Sequence, residues 1–288
     1  MTDLRLRRLA VVATAAIAAL ALSACAPSSS AEPSESASDT CTPGALPTLE
    51  SGVLTIGTDN PAYDPWFNDN DPTNGKGFES AVAYAVAEQL GYSADQVKWT
   101  VAPFSSVVTP GEKAFDFDIN QVSITEERRA AVDFSSGYYD VKQALITIKG
   151  SAIEGATTIA ELKDAKLGAQ IGTTSYQVIS EVIQPTQEIG SFDTNDFAKQ
   201  ALINGQIDGL VVDLPTAFFV TAVEITDGVI VGQFEATSAQ EQFGLVLSKD
   251  SAITKCVSDA VDALRADGTL AGIEAQWLSQ VVDAPVIK

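Results

Sequence analysis

Two spacings of apolar residues alternate along the chain and predict strands and helices in turn. The predicted strands are VLTIGT (53–58), VKWTVA (97–102), FDIN (117–120), ALITI (144–148), KLGAQI (166–171), DGLVV (208–212) and FGLVLS (243–248). Helical spacing marks Gly77 to Gly91, the residues after Gly172-Thr173-Thr174, and the ranges 196–204, 253–264 and 270–278. Strands that alternate with helices, without a tandem repeat, predict α/β layers with parallel sheets.

Polar turns follow several of these strands and predict a binding site. They are Thr58-Asp59-Asn60, Asn120-Gln121-Val122-Ser123, Gly172-Thr173-Thr174 and Asp213. In parallel sheets ligands bind beyond the carboxyl ends of the strands. Two of the turns offer hydroxyl groups and helix N-terminal amides for an anion, and Arg128 adds a planar cation that can hold a carboxylate by two hydrogen bonds. With Asp213 as the opposite charge, this set suits a zwitterion such as a free α-amino acid.

The N-terminal segment has the pattern of an export signal. Arg5, Arg7 and Arg8 precede the uncharged run from Leu9 to Leu22, which is too short to span a bilayer but typical of a signal-peptide core. The run ends in Leu-Ser-Ala-Cys, which resembles the lipobox of bacterial lipoproteins, with Cys25 as the lipidated residue. The alternative is an ordinary signal peptide with a chance cysteine. We therefore expect a signal peptide over 1–24 and a protein anchored to the outer face of the cell membrane.

Residues 25–48 are rich in serine, proline, alanine and glutamate, which predicts a flexible tether. The remaining residues, from 49 onward, are enough for one or two compact lobes. The formal net charge of −21 makes nucleic acid an unsuitable partner, because phosphate binding needs basic patches. The absence of histidine excludes Ser-His-Asp and Cys-His nucleophile arrangements and histidine-containing zinc sites, and no cofactor or metal is predicted.

Two cysteines besides Cys25 are present, Cys41 and Cys256. An even pair outside the cytoplasm predicts a disulfide. Cys256 lies in a helical pattern, so the bond would join the start of the folded body to its last segment. Two unrelated free thiols are the alternative.

Several stretches resemble a known family. They are LTIGTDNPAYDPW, NGKGFESAVAYAVAEQLGY, FDINQVSITEERRAAVDFSSGYY, LGAQIGTTS, IDGLVVD and DALRADGTLAGIEAQWL. Together they resemble the family 3 extracellular solute-binding proteins, the polar amino-acid receptors of ABC importers, over about Gly52 to Leu278. The third stretch is the most specific.

The resemblance implies the two-lobed fold of type 2 periplasmic binding proteins, with two crossovers and closure over the ligand. It implies lobe 1 over 49–140 and 242–288, and lobe 2 over 141–241, so both Cys41 and Cys256 belong with lobe 1. It also implies a monomer that works with ABC permease and ATPase subunits.

The resemblance also implies a role for each residue of the site. Arg128 would hold the ligand's α-carboxylate together with Ser123, and Arg129 would point to solvent. The contacts from lobe 2 would be Thr173 and Thr174 to the anion and Asp213 to the α-ammonium.

The aromatic walls of the pocket would be Tyr63 and Phe104, with Trp66 as another wall or a core residue. Asp59 would recognise the ligand side chain; the alternative is that it only caps a turn. Gln121 replaces a small or hydroxyl residue at the pocket floor, and Asp118 occupies a normally apolar strand position.

The sequence therefore predicts a binding protein that captures a polar amino acid for import. The first alternative is a sensor that signals through a partner chain. The second is a dehydratase-like enzyme on the same scaffold, which without histidine would need a carboxylate such as Glu241 or Asp59 for proton transfer.

Overall fold

The computed structural model of the chain describes residues 41–42, 45–235, 241–281 and 283–288. The strands, in chain order, are β1 (Leu54–Thr58), β2 (Val97–Val101), β3 (Phe117–Asp118), β4 (Asp133–Asp140), β5 (Gln143–Ile148), β6 (Leu167–Gln170), β7 (Gly190–Phe192), β8 (Gly209–Asp213), β9 (Gly228–Phe234), β10 (Gln242–Leu247) and β11 (Val286–Ile287). The α-helices are α1 (Phe78–Gln89), α2 (Phe104–Val107), α3 (Glu126–Arg129), α4 (Thr174–Gln177), α5 (Asn195–Ile203), α6 (Leu214–Phe219), α7 (Thr254–Ala266) and α8 (Thr269–Trp277). Two of them, α4 and α6, continue as π-helical turns over Val178–Ile183 and Val220–Glu224.

Lobe 1 is built on a five-stranded sheet in the order β2-β1-β3-β10-β4. Strand β1 runs parallel to β2 and β3, and β10 runs antiparallel to β3 and β4. The apolar sides of α1 and α7 form one core with strand residues such as Leu54 and Ile56, which are fully buried. The amphipathic pattern predicted for Gly77 to Gly91 is confirmed by α1.

Lobe 2 is built on a six-stranded sheet in the order β11-β9-β5-β8-β6-β7. Strand β5 is antiparallel to β8 and β9, whereas β6 is parallel to β7 and β8. Two apolar clusters cover the sheet, one with α5 and α6 and one with the 3-10 turn at Ile159–Leu162 and the helix after α4. The predicted α/β architecture of two helix-flanked sheets is confirmed.

In the described part of the chain, three connections run between the lobes, the last of them before β11. The first runs from β4 to β5, and the second from β9 to β10. At the described ends of these first two connections, the backbone N–H of Val141 donates to the carbonyl oxygen of Glu241 at 3.0 Å.

The C-terminal residues depart from the predicted division of the lobes. Residues 242–288 were all expected in lobe 1, but Val286 and Ile287 form β11 and pair with Gln233 and Phe234 of β9 in lobe 2. Ile287 is buried in an apolar cluster of that lobe. A two-residue strand is too short to show an alternating pattern, so the sequence could not predict this return.

The start of the folded body also lies earlier than predicted. Leu46 is buried in the lobe 1 core, although it falls within the predicted tether. Cys41 forms a disulfide with Cys256, with their Cα atoms 5.4 Å apart, which confirms the predicted pairing. The expected signal peptide and Cys25 lie outside the described residues. In the described part of the chain, no helix has the length and apolar character needed to cross a membrane.

Candidate functional site

Arg128 lies at the boundary between the two lobes. Thr125 begins α3, and its Oγ1 accepts a hydrogen bond from the backbone N–H of Arg128 at 3.1 Å. This short helix directs the arginine side chain inward, where the residue is only 8% exposed. Nη1 donates to the carbonyl oxygen of Ser123 at 2.6 Å, and Nη2 donates to the carbonyl oxygen of Gly172, in lobe 2, at 2.9 Å.

Arg128 is buried against an aromatic ring and lies near several carboxylates. Its guanidinium carbon lies 5.4 Å from the centre of the Phe104 ring, a cation–π distance. Burial lowers the pKa of Arg128, while the carboxylates of Glu241 and Asp213 act in the opposite direction. Arg129, by contrast, is exposed: it forms a surface ion pair with Glu126 at 3.8 Å, and its guanidinium carbon lies 5.8 Å from the centre of the Phe134 ring.

Ser123 and Thr174 bring hydroxyl groups from both lobes to the same place. Their Oγ and Oγ1 atoms are 3.3 Å apart, and Ser123 Oγ also donates to Glu241 Oε1 at 2.5 Å. Thr173 differs, because its hydroxyl caps α4: it accepts from the N–H of Tyr176 and donates to the carbonyl of Gln170. The structure therefore joins Ser123, Thr174 and Arg128, and uses the Thr173 hydroxyl for local structure.

Asp213 stands at the carboxyl end of β8, on the lobe 2 side of the site. Its Oδ1 accepts a hydrogen bond from Nε2 of Gln143 at 2.7 Å. Burial of the carboxyl group and the nearby charge of Glu241 raise the pKa of Asp213 to about 8, although the Gln143 hydrogen bond lowers it. At neutral pH the carboxyl group is therefore mostly protonated, and a nearby cation would favour its ionisation.

Gln143 is a site residue that sequence analysis missed. Its Oε1 accepts from Ser175 Oγ at 2.6 Å, and its Nε2 lies near Thr174 and Glu241 as well as Asp213. The available signal was a single polar residue directly before the apolar run ALITI, which points to no role by itself. Glu241 was named only as a proton-transfer candidate of the enzymatic alternative, and its carboxylate reaches the site from the second connection between the lobes.

The carboxylate of Asp59 accepts hydrogen bonds from neighbouring backbone N–H groups. One carboxylate oxygen accepts from the N–H of Asn60 at 2.7 Å and the other from the N–H of Phe104, at the start of α2, at 3.3 Å. Burial raises the pKa of Asp59, and both hydrogen bonds lower it. This is the turn-capping arrangement that the sequence left as the alternative to ligand recognition.

A narrow crevice separates the lobes beside the arginine site. Tyr63, Asp64 and Gln121 line it from lobe 1, and Asp196, Lys199 and Glu224 are among its lobe 2 residues. Its volume of about 30 Å³ is close to the space that one water molecule needs. Burial, with the charge of Asp196, raises the pKa of Tyr63 to about 12.

Trp66 joins the lobes at the same crevice. It is fully buried among the aromatic rings of lobe 1, edge-on to Phe78, Tyr139 and Phe243. Its indole Nε1 donates to Thr216 Oγ1, in lobe 2, at 3.0 Å. It is therefore a core residue that also contacts the opposite lobe.

Two buried carboxyl groups lie under the lobe 1 side of the site. Glu79, which sequence analysis did not single out, accepts hydrogen bonds from the backbone N–H and side-chain Nε2 of Gln121 and from the Tyr138 hydroxyl. Asp118 is also fully buried, and neither of its carboxylate oxygens has a hydrogen-bond partner among the described residues. Burial and the charges of Glu79 and Asp59 raise the pKa of Asp118 well above its usual value, which favours the neutral acid.

A larger groove of about 660 Å³ opens on the other side of the site, toward the connections between the lobes. Gln143, Thr174 and Glu241 line its inner end. Among the described residues, no cluster of three or more carboxylate or cysteine side chains could hold a metal ion. The site is thus one buried guanidinium, two hydroxyl groups and several carboxylates between two lobes.

Comparison with known proteins shows the family and agrees with the two-lobed fold. A model of the bacterial extracellular solute-binding proteins, family 3, matches residues 54–280. The L-cystine-binding protein TcyJ of Escherichia coli (strain K12) is 30% identical over 232 residues, which cover 79% of this chain and 83% of that protein. An ancestral arginine-binding protein bound to glutamine has a TM-score of 0.66 at 28% identity, over 79% of this chain and 98% of that one.

A further solved structure bears on enzyme activity. It is the ancestral amino acid-binding protein AncCDT-1, a precursor of cyclohexadienyl dehydratase, with a TM-score of 0.65 at 28% identity over 78% of this chain and 95% of that one.

Proposed function

This chain belongs to the family 3 bacterial extracellular solute-binding proteins, and we propose that it captures a free polar amino acid between its lobes and delivers it to an ABC importer. The observation that carries the proposal is the buried guanidinium of Arg128, which bonds both lobes and lies within the electrostatic reach of Asp213. A receptor cation and a receptor carboxylate in one cleft match the two charges of an α-amino acid.

The α-carboxylate of the ligand would bind the Nη atoms of Arg128 and the hydroxyls of Ser123 and Thr174. Glu241, which accepts the Ser123 hydrogen bond here, would give up that bond to the ligand carboxylate. The α-ammonium would bind Asp213, whose ionisation it would favour by supplying a positive charge. We propose that Thr173 contributes only its backbone, at the N-terminus of α4.

The ligand side chain would lie between the rings of Tyr63 and Phe104, above Gln121. Asp59 would contribute negative charge to this end of the cleft, although backbone N–H groups hold its carboxylate. Burial favours the neutral acid of Asp118 and raises the pKa of Glu79, so Asp59 would be the main negative charge at this end of the cleft. We therefore propose a ligand whose side chain carries N–H donors, such as glutamine, asparagine, arginine, lysine or ornithine.

We propose that the protein acts outside the membrane, is anchored there through a lipid on Cys25, works as a monomer and hands its ligand to permease and ATPase subunits. Binding without chemical change is the proposed activity. The relation of AncCDT-1 to a dehydratase gives the enzymatic alternative a specific basis, and Glu241 and Asp213 would then be the proton-transfer candidates.

A thermal-shift screen against the common L-amino acids tests the proposal. A ligand present at 100 times its Kd should add ~2.7 kcal/mol to the free energy of unfolding. Calorimetry on each hit gives its Kd, and mass spectrometry of the recovered ligand distinguishes binding from turnover. If no amino acid raised the melting temperature, the proposal would be wrong, and a converted ligand would favour the enzyme.

A further inference from the structure

Gln121 has an unusual backbone conformation for its residue type. Its φ angle is 48°, in the left-handed region that residues other than glycine seldom adopt. Its backbone N–H donates to Glu79 Oε1 at 2.8 Å. This bond to a buried carboxylate helps to offset the cost of the left-handed conformation.

The side chain of Gln121 bonds the same carboxylate. Its Nε2 donates to Glu79 Oε2, so both donor groups of Gln121 are directed to the two oxygens of one glutamate. When Glu79 is ionised, the opposite orientation of the amide would place Oε1 against Oε2, two acceptors with no hydrogen between them. Burial raises the pKa of Glu79 to about 7, so the ionised form and the binding tests below belong to pH 8 and above. The carboxylate therefore fixes which end of the amide faces it.

Glu79 is itself held firmly. It is fully buried at the second residue of α1, and the Tyr138 hydroxyl donates to its Oε1. Its backbone N–H donates to the carbonyl oxygen of Trp66 at 2.9 Å. The helix begins after Gly77, whose φ is 94° and where a Cβ atom would overlap the backbone of Trp66. Helix, loop and tyrosine thus fix the position of the carboxylate.

We propose that Glu79 is a positioning residue that sets ligand specificity: it fixes the Gln121 amide with Nε2 inward, so that Oε1 is the atom offered to the cleft. Gln121 lines the interlobe crevice, whereas Glu79 is fully buried behind it. The cleft floor then presents an acceptor. It selects side chains with N–H donors and rejects carboxylates, which would meet a second acceptor without a hydrogen to share.

This inference rests on the proposed binding of an amino acid, and the experiment distinguishes a failure of the inference from a failure of that proposal. The test uses L-glutamine, L-glutamate and L-arginine as calorimetric ligands of the wild type and of Glu79→Gln. Glutamine and glutamate have nearly the same shape and differ in whether the side chain donates. A glutamine at position 79 would keep its oxygen with the Gln121 N–H and the Tyr138 hydroxyl, so its Nε2 would face the Gln121 side chain and favour the opposite orientation of that amide.

We expect the wild type to bind glutamine or arginine at least tenfold tighter than glutamate, and Glu79→Gln to reduce that ratio by about tenfold, as for one good hydrogen bond. If the role of Glu79 were purely structural, Glu79→Gln would raise the Kd of all three ligands by the same factor. The matched control is Glu88→Gln, an exposed glutamate of the same helix, which should leave every Kd unchanged.

A second variant covers the case in which Glu79→Gln does not fold. Gln121→Ala removes the acceptor with Glu79 intact and should abolish the preference as well; where both fold, the double variant should show no further loss. An unchanged ratio in either variant, or a wild type that prefers glutamate, would overturn the inference while the proposed function stands. A wild type that binds no amino acid would overturn both.

Discussion

The guanidinium Nη2 of Arg128, in lobe 1, donates a hydrogen bond to the carbonyl oxygen of Gly172, in lobe 2, at 2.9 Å. The two residues are 44 positions apart in sequence, and Gly172 directly precedes the threonines at the start of α4. One cation therefore contacts the loop that carries Thr173 and Thr174. A ligand carboxylate bound to Arg128 would meet both lobes at once, which couples binding to closure.

Arg128 and Arg129 provide a paired test of the carboxylate site. Arg128→Ala should weaken amino-acid binding by about 2–5 kcal/mol, because a buried ligand carboxylate would lose its charged partner. Arg129→Ala should cost under about 1 kcal/mol, since its ion pair with Glu126 is exposed. Titration calorimetry on both variants measures the difference. Equal losses would show that the wrong arginine has been assigned to the ligand.

The disulfide gives a prediction about stability. Cys41 and Cys256 are separated by 215 residues, so in the loop-entropy model the bond stabilises the folded protein by about 5 kcal/mol. The variant with both cysteines changed to serine should lose a large part of this in urea unfolding. Thiol titration of the denatured wild type is the control: two reactive thiols beyond that of Cys25 would contradict the bond.

The sequence predicted the parts of this site that follow directly from strand ends and local motifs. Arg128 and Asp213 belong to this group, because a strand or a capped turn lies within a few residues of each. The direction of the Asp59 carboxylate could not be predicted, since it depends on the N–H of Phe104, 45 residues later, and its role toward the ligand stays a prediction.

Residues whose role depends on distant partners could not be predicted. The contact from Ser123 to Glu241 spans 118 residues, and that from Gln143 to Asp213 spans 70. Glu79 is an acidic residue at the start of a buried helix face, and only the fold shows that it bonds Gln121. The contact of Ser123 arises from the return of the chain to lobe 1, and the other two join distant segments within one lobe; strand and helix patterns encode neither kind.

Trp66 should influence closure independently of ligand chemistry. Trp66→Phe keeps a ring in the aromatic cluster but removes the indole donor to Thr216. Loss of this interlobe bond should disfavour the closed form by about 1 kcal/mol, roughly a fivefold change in population. Small-angle scattering of the ligand-free protein should then give a larger radius of gyration than for the wild type.

Trp99 offers the matched control for that experiment. Its indole N–H also donates a hydrogen bond, to the Tyr84 hydroxyl at 3.3 Å, but both residues belong to lobe 1. Trp99→Phe should therefore leave the radius of gyration unchanged. The same expansion in both variants would indicate general loosening of lobe 1 and would argue against the interlobe role of Trp66.

The pKa of Asp213 predicts a pH dependence of both stability and binding. Its pKa is raised to about 8 in the folded protein, against an ordinary value of 3.8. Between these values the folded state holds a proton that the unfolded state has lost, so this group makes the free energy of unfolding of the ligand-free protein fall as pH rises from about 4 to about 8. Binding should show the opposite trend, because an ammonium group requires the ionised carboxylate.

Ligand binding should consequently release protons at pH 6 to 7, approaching one per ligand, and affinity should rise with pH until it levels off above about 8. Calorimetry in buffers of different ionisation enthalpy counts the protons directly. Asp213→Asn keeps the shape of the side chain and can still contact Gln143. This variant should bind the ligand more weakly and release no protons on binding. If the wild type released no protons in this range, Asp213 would not be the partner of the ammonium, and the assignment of the two ends of the cleft would have to change.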